Sequence, residues 1–176
     1  MNIFIYWNYK DNDSKKIYQF LNQSTFFELL EEGNNVIFHK EHQDFIIDNL
    51  MHNEIRNSDI ILFFTHGDDD SILKFRYKDE LPKERFIFLD FENAELLRGK
   101  RVIAICCRSA NQLGEYCVGE KVQSEFFVGF QDDLIYDEGF SNEFKRIVFK
   151  TYSSAFERAF INAYNKKWPA EGFVLF

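Results

Sequence analysis

The sequence predicts an α/β fold: a mostly parallel central sheet with helices packed on both of its faces. Three observations carry this expectation. The runs Ile60-Ile61-Leu62-Phe63-Phe64 and Val102-Ile103-Ala104-Ile105-Cys106 are short and continuously apolar, which suits strands buried on both faces of a parallel sheet. Strand-like runs alternate with helix-like stretches along the chain, the rhythm of a layered α/β architecture. The chain also has the substance for one sizeable core: 176 residues, 45% hydrophobic and 18% aromatic, with 22 Phe, fit a single domain spanning 1–176.

Each element follows from its own residues. The apolar segment 2–7 is expected as the first strand. The turn-forming segment 8–14 caps a helix near 15–21, and Thr25 with Glu28, at capping-box spacing, opens a short helix that Gly33 ends. Residues 35–39 read as the second strand, and 41–53 as a helix with Phe45, Ile46, Ile47 and Leu50 on its inner face. Asn57 and Ser58 turn the chain into the strand that ends at His66. Asp68, Asp69 and Asp70 follow as a solvated turn, and 72–77 alternates in part, as a small exposed hairpin strand would. Its partner is 85–89, unless that segment bridges the sheet in extended form.

A helical turn at 92–97 precedes the strand that ends at Cys107. Beyond it, 110–118 fits a helix packed on the sheet, and 125–130 a further buried strand that runs into Gln131, Asp132 and Asp133. The last long helix is expected over 142–164, with Phe144, Val148, Thr151, Ala155, Ala159 and Ala163 forming its inner stripe at steps of three and four. The tail 172–176 adds a short edge strand.

Bulk properties exclude several classes. A formal net charge of -8 opposes binding to a nucleic-acid backbone. No apolar run reaches the roughly 20 residues that cross a bilayer, and the N-terminus lacks the basic region and cleavage site of a signal peptide. Three cysteines, Cys106, Cys107 and Cys117, form no disulfide framework and have no metal-ligand spacing. The expectation is a cytoplasmic protein with reduced thiols, without a metal or cofactor. No Gly-x-Gly-x-x-Gly or Gly-x-x-x-x-Gly-Lys loop supports a nucleotide-binding reading.

The chemistry gathers where the two central runs stop. One ends in His66 and Gly67, the other in Cys107, Arg108 and Ser109. In α/β sheets, ligands and catalytic groups collect at the carboxyl ends of the strands, so neighbouring runs bring an imidazole and a thiol to one rim. Adjacent side chains of a strand point to opposite faces, so only one of Cys106 and Cys107 serves. Cys107 stands at the turn. Arg108 would favour its thiolate, and the helix that follows Ser109 would lend backbone N–H groups near its N-terminus. Such a pair suits acyl transfer: His66 keeps the thiol ionised or takes its proton, Cys107 attacks a carbonyl, and backbone N–H groups hold the oxyanion. Two ordinary core cysteines and a structural histidine are the competing reading.

On these residues the sequence resembles the caspase-like cysteine peptidases, most of all the CHAT-type and other prokaryotic members. The matching segments are Phe63-Phe64-Thr65-His66-Gly67 and Ile105-Cys106-Cys107-Arg108-Ser109, with the base and the nucleophile 41 residues apart, against roughly 50 in caspases. Phe127-Val128-Gly129-Phe130 resembles the next core strand of the family, and the helix from Phe144 to Ala163 resembles its ending. The resemblance implies a three-layer caspase-like fold with His66 as general base and Cys107 as nucleophile. It assigns the oxyanion hole to the N–H groups of Gly67 and Cys107. Cys106 stands where a small Ala is usual, and Ile105 where relatives that cut after Arg or Lys carry Asp. Asp132 and Asp133, with Asp68, either supply a replacement acidic pocket beside Arg108 or are solvated loop residues. The implied function is a regulated endopeptidase acting on a partner protein in prokaryotic antiviral defence or cell death. It would be switched by an activating protein or a small signal. The alternative is an inactive scaffold of the same fold that binds a partner.

Overall fold

The computed structural model describes residues 1–8, 33–41, 49–74, 87–134, 141–165 and 174–175. The described strands are β1 (Asn2–Asn8), β2 (Asn35–Glu41), β3 (Ile60–Phe64), β4 (His66–Gly67), β5 (Ile72–Leu73), β6 (Ile87–Leu89), β7 (Arg101–Ile105), β8 (Phe126–Phe130) and β9 (Val174–Leu175). The described α-helices are α1 (Asn49–Arg56), α2 (Gln112–Val118) and α3 (Asn142–Asn165), with a single 3-10 turn at Ala94–Leu97. The expected helices near 15–21 and 25–33, and the inner-face residues Phe45, Ile46 and Ile47, lie outside the described residues.

β2, β1, β3, β7, β8 and β9 form one six-stranded sheet in that order, and every pairing in it is parallel. Parallel neighbours need crossover connections, which is why helical stretches separate them in sequence. All five residues of each of the two central strands, β3 and β7, are buried. Each fully buried Ile, Leu or Phe contributes about 1.5–3 kcal/mol, so the apolar members of these ten positions supply a substantial share of the core. The one charge among them, Arg101, enters β7 with its Nε 3.1 Å from the Glu125 carboxylate.

Alternation along the strands divides the core into two layers. Ile60, Leu62, Phe64, Ile103, Ile105 and Val128 meet Phe156 and Phe160 of α3 on one face. On the other, Ile61, Phe63, Val102, Ala104 and Cys106 meet Met51 and Ile55 of α1 and Leu113 and Cys117 of α2. The fold is therefore three-layered, a parallel sheet between helices. A small antiparallel sheet, β4-β5-β6, lies against the second face through Ile72, Phe88 and Leu89.

Three local expectations are corrected. Leu50 is 64% exposed, and α1 buries Met51 and Ile55 instead, because those two lie one helical turn apart and face the sheet. In α3, Phe144 and Thr151 are exposed, while Phe156 and Phe160 are buried and Tyr164 packs on the same cluster. The larger aromatic stripe offers more apolar area than the alanine stripe and wins the core face. The side chains of Ala159 and Ala163 lie outside the described set. The hairpin after His66 is not exposed, since Ile72 and Leu73 are both buried. The short edge strand expected at the tail is present and pairs with the end of β8.

Candidate active site

β3 and β7 are hydrogen-bonded neighbours in register, Ile60 with Arg101 through Phe64 with Ile105. Beyond that last pair the chain bends at Thr65, and His66 enters β4 of the small antiparallel sheet. The two segments nevertheless stay close. A Cβ built on Gly67 would lie 2.5 Å from the Cys107 carbonyl oxygen and 2.8 Å from Cys106 Cβ. Only a residue without a side chain lets the backbone of the His66 segment approach so closely.

The same alternation separates the two thiols. Cys106 is fully buried in the layer with Phe63 and Ala104. Cys107 is half-buried and packs with Ile105 and Phe64 on the α3 side. His66 is likewise half-buried. The structure thus sets the backbone of Gly67 against Cys106 and Cys107 at the carboxyl rim of the sheet and removes the Cys106 side chain to the interior.

Burial pushes the Cys107 pKa up, and Asp133 adds to this, against the lowering effects of the Leu134 N–H, Arg108 and its own backbone N–H. The Leu134 amide donates to Cys107 Sγ at 3.3 Å. Arg108 favours the thiolate, as its charge leads one to expect, but its effect is outweighed by desolvation.

The helix-start expectation is corrected. The N–H of Arg108 donates to the Asp132 carbonyl at 3.2 Å, that of Ala110 to Phe130 at 2.9 Å and that of Leu113 to Asp69 at 2.9 Å. α2 begins only at Gln112, and these three N–H groups are engaged by neighbouring segments of the chain. Ser109, fully buried, fixes this turn by donating from Oγ to the Cys106 carbonyl at 2.9 Å.

The acidic residues are differently used than the sequence suggests. Arg108 lies 2.9 Å from Asp133, 3.2 Å from Asp68 and 3.6 Å from Asp69. Asp68 and Asp133 do not form an open acidic pocket, because the chain's own guanidinium occupies them. Asp132 is exposed and contributes its carbonyl. Nor are Asp68 and Asp69 merely a solvated turn. Sequence reasoning missed Asp69, Asn111 and Leu134. Asn111 Nδ2 donates to Asp69 Oδ1 at 2.7 Å and to the Gln131 carbonyl at 2.9 Å, a bridge between loops that no local pattern announces.

Comparison with known proteins adds little to this geometry. No protein family matches the sequence, and no curated protein is similar to it. Among solved structures, the chain is similar to Smu.1420 from Streptococcus mutans UA159, with a TM-score of 0.48 and 9% identity over 90% of this chain and 100% of that one. No helix among the described residues is long and apolar enough to cross a membrane. The chain is an α/β protein in which His66 and Cys107 lie just beyond the carboxyl ends of β3 and β7, two neighbouring strands of one parallel sheet.

Proposed function

We propose that this chain is a caspase-like cysteine endopeptidase that hydrolyses a peptide bond in a partner protein through the pair His66 and Cys107. The observation that carries the reading is the register of β3 and β7, together with the close approach of Gly67 to Cys107. Because burial pushes the thiol pKa up, His66 acts as a general base when substrate arrives. The imidazole takes the Sγ proton as sulfur attacks the carbonyl carbon, and the N–H groups of Gly67 and Cys107 receive the developing oxyanion. Collapse breaks the C–N bond, the imidazolium returns its proton to the leaving amine, and a thioester remains. Water, deprotonated by the same imidazole, then releases the acid and restores the thiol.

The resemblance to prokaryotic caspase-like proteins supports a regulated role in defence or cell death, with an activating protein or small signal. The raised pKa of the buried thiol agrees with such restraint. A catalytically inactive scaffold that binds a partner is the second reading, favoured by that same burial of the thiol. A peptide-chloromethylketone probe separates the two. Labelling of the wild-type protein that disappears in both Cys107→Ala and His66→Ala is expected. Labelling that survives His66→Ala favours the scaffold.

A further inference from the structure

We infer that Arg108 is a positioning residue: its guanidinium pins the loop that follows His66 and the loop that follows β8 to the turn that follows Cys107, and so sets how imidazole and thiol meet. This rests on the reading of His66 and Cys107 as a catalytic pair.

Three strand-end loops converge on this one residue. Asp68 and Asp69 come from the loop after His66, at 3.2 and 3.6 Å, and Asp133 comes from the loop after β8, at 2.9 Å. The Arg108 N–H adds a backbone tie to Asp132 at 3.2 Å. Isolated exposed ion pairs contribute little, but this set is a network, and Asp69 is also held by Asn111 at 2.7 Å.

The backbone carries a second, independent sign. Arg108 has φ 52, a left-handed conformation that a side-chain-bearing residue adopts at a cost and keeps only where its surroundings impose it. The planar, multi-donor fork of arginine fits carboxylates approaching from several directions, whereas lysine offers a compact point charge. The charged groups acting on the thiol are Asp133, which opposes its ionisation, and Arg108, which favours it. Loss of Arg108 therefore removes the tie to both loops and leaves the Asp133 charge unopposed.

The test is the rate of Cys107 carbamidomethylation by iodoacetamide across pH in the full chain. Wild type is compared with His66→Ala, Arg108→Gln, Arg108→Lys and, as an ion-pair control remote from the site, Arg98→Gln. Arg108→Gln is expected to lose at least about tenfold of the His66-dependent acceleration that a general base supplies, with its midpoint shifted to higher pH. Arg108→Lys is expected to restore the midpoint but not the rate, since it returns the charge without the fork. A wild-type rate in Arg108→Gln overturns the inference. Full recovery in Arg108→Lys overturns it too, because charge alone then suffices, as does an equal loss in Arg98→Gln. Equal rates in wild type and His66→Ala would instead sink the catalytic pair. The pin is then read from amide exchange at Asp68 and Ser71, which bond each other across the turn. Lost protection in Arg108→Gln upholds the pin, and unchanged protection refutes it.

Discussion

Gly67 shows how much of the site depends on one missing methyl group. A Cβ there would press on the Cys107 carbonyl at 2.5 Å and on Cys106 Cβ at 2.8 Å, and both obstacles are fixed parts of β7's end. Gly67→Ala must push the His66 segment away from the thiol. Overpacking of this kind costs about 1–3 kcal/mol, so a lower melting temperature and loss of probe labelling are expected together; an unchanged protein on both counts would contradict the described approach. Gly129 makes the parallel case on the other side of the turn, where a Cβ would lie 2.6 Å from Ser109 Oγ. His-Gly and Cys-Arg-Ser stood out in the sequence because each follows an apolar run. The ion pairs of Arg108 did not, because its partners lie 39 and 40 residues upstream and 25 downstream in sequence, as 108 − 69, 108 − 68 and 133 − 108 give.

At the scale of elements, strands were easier to read than helix faces. β3, β7 and β8 are buried on both sides, so continuous apolar runs marked them without ambiguity. An amphipathic helix offers several stripes, and tertiary packing chooses among them. α3 presents Phe156 and Phe160 to the sheet, not the predicted line through Phe144 and Thr151. Phe160→Ala should therefore cost about 3–5 kcal/mol, the range for a buried aromatic. Ile147→Ala, on the exposed side of the same helix, should stay within about 0.5 kcal/mol. Chemical denaturation of the two variants checks this, and comparable losses would mean that the helix is rotated. The corresponding choice in α1, Met51 and Ile55 over Leu50, was invisible for the same reason.

For the whole molecule, the three thiols make stability depend on alkaline pH. Burial is the leading cause that raises Cys106, Cys107 and Cys117 above the ordinary value of 9.0, Cys117 to about 12. Unfolded chains release these protons near 9.0 and the folded chain holds them, so the unfolded state gains from rising pH. Stability contributed by the neutral thiols is complete below 9.0 and is lost as pH climbs toward about 12. Melting temperatures over that window should fall more steeply for wild type than for Cys117→Ala, and parallel curves would refute the linkage. The layered α/β class was legible in the sequence because strands and helices alternate. The order of the strands was not, since only long-range pairing makes β3 and β7 neighbours.

That neighbourhood is the central claim, and it is most directly tested by trying to join the two strand ends covalently. His66→Cys is introduced together with Cys106→Ala and Cys117→Ala, and the full chain is oxidised with copper-phenanthroline. A disulfide forms only where Cα atoms lie about 4.4–6.8 Å apart. The account predicts an intramolecular bond to Cys107: the mass falls by a pair of hydrogen atoms, and both thiols become unreactive until reductant is added. Two thiols that stay alkylatable after oxidation would contradict it.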